Sequence, residues 1–321
     1  MATYKRQRYL FMTTDPVHIG TGGYRLGRVD NSIVREPGTR VPKIPGTSLS
    51  GVARSYAASQ YRSLTCAGQK AHCAAPDCPI CYTFGSLRES GEGAEKKTTA
   101  FSGVVNLFDA HVLLFPVHSM AGPVWVSTTQ RLKDAGFTTA QSESTPNMPP
   151  GGGLYTWARK DDLNLGWLML GEGPQVVVEA PEKWRTEERW QVVKDHVVIV
   201  EESLFGHVVN SNLEVRTSVS IDPERGAAEE GALFTYEALP RATFLVAEVV
   251  LDDYREGQKS RPFPVEKAKD GCELPGGPWK SPLDVVKAGL RLAQWLGIGG
   301  MNTRGFGRMT IVGEPTEEDW K

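Results

Sequence analysis

Apolar positions recur along this chain with two different periods. The run Tyr-Leu-Phe-Met-Thr-Thr at 9–14 reads as a strand, and similar short extended runs lie at Gly103–Leu107, His111–Phe115, Gln175–Glu179, Val197–Val200, Thr243–Leu251 and Met309–Val312. After Pro45-Gly46 the period changes. Leu49, Val52, Ala53, Tyr56 and Ala57 fall at i, i+3, i+4, i+7 and i+8, which predicts a helix buried along one stripe, with Thr47 or Ser48 as its N-cap. A second helix is predicted over Pro282–Trp295. Strands and helices interleave without a fixed repeat, so the pattern is that of an α+β protein. The extended runs Leu213–Ile221 and Ala232–Tyr236 flank a Glu/Ala/Gly-rich segment and predict a long projecting hairpin. Gly136–Gly153 is a second long loop, rich in Thr, Ser, Pro and Gly.

With 321 residues, 40% of them hydrophobic, the chain can bury a large core as one elaborated domain or two. No apolar run approaches membrane-spanning length and the first residues contain no apolar signal core, so a soluble, cytoplasmic protein is expected. The net charge of −2 argues against a nucleic-acid binder, but its distribution argues the other way. Residues 1–62 hold ten Lys/Arg against Asp15, Asp30 and Glu36, while residues 161–202 are acidic. A basic quarter and an acidic middle suit a protein that tracks phosphates with one face and meets protein neighbours with another.

Cys66, Cys73, Cys78 and Cys81 cluster in an otherwise cysteine-poor chain and end on a Cys-Pro-Ile-Cys turn. Such a turn presents two thiolates to one tetrahedral ion and the upstream pair can complete the set, so a structural zinc site is expected, with His72 as a rival fourth ligand. A redox pair would want a βαβ setting, and a disulfide framework belongs mostly to shorter secreted chains. Cys272, alone in a Gly/Pro loop, is a bystander.

Three glycine-bearing segments are candidates for phosphate contact: Gly20–Gly27, Gly46–Gly51 at a helix start, and Gly297–Gly307 beside Arg304 and Arg308. None carries the Gly-Lys-Ser/Thr of a mononucleotide loop or the strand-to-helix context of a dinucleotide fingerprint. A polymeric phosphodiester suits backbone amides with scattered arginine better.

Taken in order, residues 17–54 (Val-His-Ile-Gly-Thr-Gly through Val-Asp-Asn-Ser-Ile-Val-Arg to Ile-Pro-Gly-Thr-Ser-Leu-Ser-Gly-Val-Ala-Arg), Cys78–Gly85, Leu107–Ser119, Leu233–Pro240 and the glycine-rich tail at 297–307 resemble the RAMP superfamily. More specifically, they resemble the repeated backbone subunit of type III CRISPR effector complexes. The Phe115–Met120 run and the tail are similar to the Cmr-type subunit, whereas the cysteine cluster and Val29–Arg35 lean toward the Csm-type.

That resemblance implies one elaborated domain over 1–321: a modified ferredoxin-like, RRM-related core with a zinc-binding insertion at 62–100 and a β-hairpin thumb at 214–236. It implies stacking of several copies and other effector subunits along a CRISPR RNA, and cutting of complementary target RNA where each thumb displaces a base pair. The cutting aspartate of the family maps onto Asp30, with His18 and Glu237 at positions that look functional. Gly20, Gly22, Gly23, Arg28, Lys43, Thr47, Ser48, Arg54, Gly299, Gly300 and Arg304 are the expected RNA contacts. Attack by a 2′-hydroxyl needs an in-line geometry that stacked A-form strands do not offer and a splayed strand can. A carboxylate such as Asp30 can then act as general base or hold Mg²⁺ or Mn²⁺. The alternatives are a guide-binding scaffold without nuclease activity, with Asp30 positioned but unused, and a zinc enzyme acting on small molecules. The zinc-deaminase His-x-Glu signature is absent.

Overall fold

The computed structural model describes residues 3–22, 29–68, 72–73, 75, 77–90, 97–140, 148–229 and 233–319. Its spine is strand β1, Thr3–Thr13. Tyr9 and Phe11 alternate with Leu10 and Met12 along it, and all four are buried, so both faces of the strand are covered. β1 leads to helix α1, Gly46–Gln60, and then to β2, Ala110–Ser119. A hairpin of β3, Glu214–Ser218, and β4, Phe234–Ala238, precedes β5, Phe244–Asp253. The long helix Pro282–Leu296 then returns the chain to β6, Met309–Ile311. The sheet order is β6-β1-β5-β2, every neighbouring pair antiparallel, and it continues through Gly122–Ser127, Val197–Ile199 and Leu154–Tyr155.

Both long helices lie on one face, where Leu49, Ala53 and Ala57 of α1 and Val285, Val286 and Leu290 of the later helix meet Tyr9, Phe11 and Leu245. The two helices cross closely because of Gly289: a Cβ there would stand 2.0 Å from the carbonyl oxygen of Ala53. The opposite face buries Leu10, Met12, Leu113 and Phe244 under Leu132, Phe137, Trp184 and Trp190.

Two local expectations change. The N-cap of α1 is Pro45, with no side-chain cap bond. Asp109 Oδ1 instead accepts the Gly46 N–H at 2.7 Å from across the sheet, so the positive helix end already holds a carboxylate. The Cys-Pro-Ile-Cys segment, expected as a turn, forms helix α2 over Pro79–Phe84, with Pro79 at its start, where a missing N–H costs nothing, and Ile80 and Tyr82 buried.

The predicted hairpin is present. Glu214 stands opposite Ala238 and Ser218 opposite Phe234, and farther out Ile221–Asp222 pairs with Ala227–Ala228. Asp222 turns the chain there by accepting the Glu224 N–H at 2.8 Å. Residues 230–232 lie outside the described residues.

Candidate functional site

The loop after β1 returns past the base of the hairpin, and the contact is made chiefly by one residue. Thr235 of β4 donates from its backbone N–H (2.7 Å) and its hydroxyl (2.9 Å) to Asp30 Oδ2, while that hydroxyl accepts the Asp30 N–H at 3.1 Å. The Asn31 N–H then donates to the Thr235 carbonyl at 3.0 Å, and the Glu237 N–H to that of Asn31 at 3.2 Å. Asp30 itself is exposed, and its Oδ1 accepts no hydrogen bond from another of the described residues. Bonds from the Thr235 backbone, then from its hydroxyl, hold the Asp30 carboxyl below the usual carboxylate range. Of the two arginines that could have paired with Asp30, Arg35 binds Glu237 and Arg28 lies outside the described residues.

Glu237 is buried, and both its oxygens are engaged. Arg35 Nη1 and Nη2 donate to them at 2.5 and 2.8 Å, and the Ile33 N–H adds a bond of 2.9 Å. Asn210, near the end of the helix Glu202–Ser211, steadies the same guanidinium through its side-chain oxygen, 2.9 Å from Arg35 Nε. His18 is buried too, with Nδ1 2.6 Å from the Glu237 carbonyl. A carbonyl only accepts, so Nδ1 carries a proton. Both residues are therefore built into the hairpin base, and Asp30 alone of the three presents an open oxygen.

Two of the three glycine segments meet around His18. A Cβ at Gly20 would lie 3.1 Å from His18 Nε2, one at Gly299 would lie 2.4 Å from the His18 carbonyl oxygen, and the Gly300 N–H donates to that oxygen at 2.9 Å. Gly20, Gly22, Gly299, Gly300 and Arg304 are all exposed, and the Arg304 guanidinium lies 5.5 Å from the Phe234 ring, next to Thr235. Gly23 lies outside the described residues.

The other expected contacts sit apart. Thr47 is exposed and Ser48 half-buried at the start of α1, where Lys43 Nζ is held between Asp109 Oδ2 (2.5 Å) and Glu36 Oε1 (3.0 Å). Arg54 turns inward: its Nε donates to the Cys66 carbonyl at 2.7 Å, and its Nη2 is shut off from solvent without an acceptor. Among the described residues, six of the eight basic residues up to position 62 (Lys5, Arg6, Arg8, Arg35, Lys43 and Arg62) are in ion pairs, so much of their charge is balanced within the fold.

The four cysteines converge. Their sulfurs all lie within 4.8 Å of one another, with Cys66 3.1 Å from Cys73, 3.8 Å from Cys78 and 3.7 Å from Cys81. A disulfide needs about 2.05 Å. A regular tetrahedron with metal–sulfur bonds of about 2.3 Å has edges of about 3.8 Å, so the cluster could hold a metal ion. His72 is not part of the cluster: Nδ1 accepts the Leu87 N–H at 2.9 Å, and Nε2 lies 2.8 Å from the Gly68 carbonyl. From helix α2, the Tyr82 hydroxyl donates to buried Asp253 at 2.6 Å, tying the module to the end of β5.

A family model for the RAMP superfamily matches residues 10–310. The chain belongs to the RAMP superfamily. Among RAMP proteins it is similar to the CRISPR system Cmr endoribonuclease Cmr4 of Pyrococcus furiosus, 25% identical over 259 residues, which cover 74% of this chain and 79% of that one. The Cms endoribonuclease Csm3 of Methanothermobacter thermautotrophicus is 35% identical over only 80 residues, 24% of this chain and 31% of that one. The likeness thus reaches further toward the Cmr-type subunit. Solved structures share the fold: oligomeric Cmr4 of P. furiosus superposes with a TM-score of 0.54 at 19% identity over 99% of both chains. A chain of a type III-B Cmr-beta complex bound to cognate target RNA gives 0.57 at 14% identity over 96% of both.

The sequence did not single out Thr235 or Asn210, and it offered Arg35 only as a partner for Asp30, not for Glu237. Thr235 lies inside the Leu233–Pro240 segment that carries part of the family resemblance, which is the signal that could have found it.

Proposed function

We propose that this RAMP protein is the CRISPR RNA-binding backbone subunit of a type III effector complex, most similar to the Cmr-type. It stacks in several copies along the guide and cuts complementary target RNA at regular intervals. The observation that carries this reading is the placement of Asp30: an exposed carboxylate seated on the base of a projecting hairpin. The order β1-α1-β2-β5-helix-β6, with sheet order β6-β1-β5-β2, supports reading the body as a modified ferredoxin-like core and the hairpin as its thumb. Residues 62–100 form the cysteine insertion within one elaborated domain.

In this reading the exposed loops at Gly20–Gly22 and Gly299–Arg304 take the RNA backbone, and the thumb displaces a base pair beside Asp30. The splayed strand lets a 2′-hydroxyl line up with its phosphorus and leaving oxygen. A carboxyl held below its usual range is a weak proton acceptor, so Asp30 serves better as an electrostatic or metal-holding group than as a general base. Mg²⁺ is commonly held by one or two carboxylates with phosphate and water, which fits Asp30 Oδ1; Mg²⁺ or Mn²⁺ held there would neutralise charge on the reacting phosphate. His18 and Glu237 position the thumb base, Lys43 is anchored to carboxylates, and Arg54 supports the cysteine module. Zinc held by Cys66, Cys73, Cys78 and Cys81 leaves no open coordination position and is structural.

Asp30→Ala in the assembled complex tests this. Target cutting should be abolished while guide and target binding stay near the parent values, because the carboxylate serves the transition state. Normal cutting by that complex would remove Asp30 from the reaction, and no cutting by the parent complex would leave the guide-binding scaffold as the reading.

A further inference from the structure

We propose that Thr235 is the positioning residue for Asp30 and that, because Thr235 belongs to the hairpin, the cutting carboxylate is seated only when the hairpin is. The inference rests on the function proposed above and adds a coupling between wedge and chemistry within a single residue.

Thr235 engages Asp30 and its neighbour Asn31 from three atoms. Its N–H and hydroxyl converge on Oδ2, the hydroxyl takes the Asp30 N–H, and its carbonyl takes the N–H of Asn31. Two donors on one carboxylate oxygen fix the carboxylate's rotation, which leaves Oδ1 as the oxygen turned away from the hairpin. A threonine suits the task because branching at Cβ restricts its χ1, so the hydroxyl is held in place before Asp30 meets it.

The other face of β4 explains why this is a coupling and not only a local bond. Phe234 and Tyr236, on either side of Thr235, lie with ring centroids 5.8 Å apart and tilted by 36°; Tyr236 packs on Phe306 at 5.4 Å and against the edge of His18 at 6.3 Å. Across the hairpin Thr235 stands opposite Thr217, and Arg216 lies over Phe306 at 4.7 Å. A change in hairpin twist or register therefore moves Thr235 together with a ring cluster, and Asp30 loses Oδ2 contacts that no other described residue supplies. A one-residue slip would carry the Thr235 side chain to the opposite face.

The test compares Thr235→Val, which keeps the shape and the backbone bond but removes the hydroxyl, with Thr235→Ser, which keeps the hydroxyl. Both are assembled with guide RNA and assayed for target affinity and for single-turnover cutting at saturating target. Thr235→Val should slow cutting about 10- to 100-fold, the scale of misplacing a reacting group by about an ångström. Its target affinity should stay within about twofold of the parent, and Thr235→Ser should recover most of the rate, since the lost term is positioning and not binding. Adding Thr235→Val to Asp30→Ala should change nothing further, because a residue that acts through Asp30 has nothing left to act on. A Thr235→Val complex that cuts at the parent rate overturns the inference. So does a Thr235→Ser complex as slow as Thr235→Val, or a loss of target binding in step with cutting, either of which assigns Thr235 a general structural role. The two levels separate cleanly: normal cutting by Asp30→Ala defeats the functional reading, whereas an inactive Asp30→Ala beside a fully active Thr235→Val defeats only the coupling.

Discussion

Arg35 closes on Glu237 as a fork, with two nitrogens on two oxygens, and together they pin the return loop after β1 to the base of the hairpin. The pair is largely buried, with side-chain exposures of 14% and 7%. Removing one partner strands the other charge, whereas removing both does not. Arg35→Leu should therefore lower stability by about 3–5 kcal/mol, and the double change Arg35→Leu/Glu237→Leu by clearly less. Denaturant midpoints of the isolated chain measure both. The same pair decides the role of Glu237: Glu237→Gln should lose stability, yet at a temperature where it is folded it should cut within a few-fold of the parent. A stable but inactive Glu237→Gln would make Glu237 a direct participant.

In the proposed reaction the acid limb of the cutting rate should report on Asp30. Bonds from Thr235 depress its carboxyl, so the charged form survives to lower pH than an ordinary aspartate allows. For a depressed group, the favourable contribution is present above the unfolded-state value and is lost as pH falls through the folded-state value. Cutting should then persist through the ordinary carboxylate range on acidification and fail only below it, and Thr235→Val should move the limb upward. Single-turnover rates against pH, taken over the range where target stays bound, check both statements. A limb at or above the ordinary aspartate range would show that Thr235 does not hold the charged form.

What the sequence reveals follows from how local each cause is. The stripe through Leu49, Ala53 and Ala57 is a property of neighbouring residues, and those three are buried as the period demands. The hairpin was legible for the same reason. The N-cap of α1 was not: the group that satisfies Gly46 is Asp109, far along the chain and near only once β2 has formed. The ion pairs of the basic first quarter were not legible, because partners such as Glu248 and Glu318 are likewise distant in sequence. The cysteine cluster could be read because its spacing is local, whereas the inward turn of Arg54 could not, since it depends on α1 lying over that module.

The cysteine centre predicts one zinc per chain. Cys78→Ser removes a buried member of a set whose sulfurs are already arranged around a point, and a closed four-sulfur site contributes to folding. The variant should show lower thermal stability or solubility, and its cutting rate per assembled complex should be close to the parent. Elemental analysis of undenatured protein that finds no zinc would count decisively against the assignment.

Gly289 gives a prediction for the body of the fold. A side chain there enters the space of the Ala53 carbonyl, 2.0 Å from where its Cβ would stand, and backbone cannot swing aside as a long side chain can. The two helices must separate, loosening the contacts of Leu49, Val286 and Leu290 with the sheet. Overpacking of this kind costs typically about 1–3 kcal/mol and occasionally more. Gly289→Val should fall at or above the upper end of that range, measured as a drop in the denaturant midpoint, while Gly51→Ala, an open and exposed helical position, should be neutral or stabilising. Equal stability of the two variants would mean that the helices do not cross at Gly289.

The hairpin predicts the spacing of the cuts. Its outer part, from Val219 to Glu229, carries the exposed apolar residues Val219 and Ile221, while Thr235 and the ring cluster sit at its base. Replacing residues 219–233 with a tight two-residue turn between Ser218 and Phe234 should therefore leave Asp30 seated and the body intact, so that guide RNA still binds and copies still assemble. The wedge is what is lost. With no base displaced, the strand stays stacked, the 2′-hydroxyl stays out of line, and an intact Asp30 has no reactive phosphate beside it; the saving in unstacking energy, a few kcal/mol per step, goes instead into a longer uninterrupted duplex. Target should bind as tightly as before or more tightly, and the evenly spaced ladder of fragments should disappear. If the shortened protein assembles and gives the same ladder, the hairpin is not the wedge, and the segment between Gly136 and Gly153 becomes the element to shorten next.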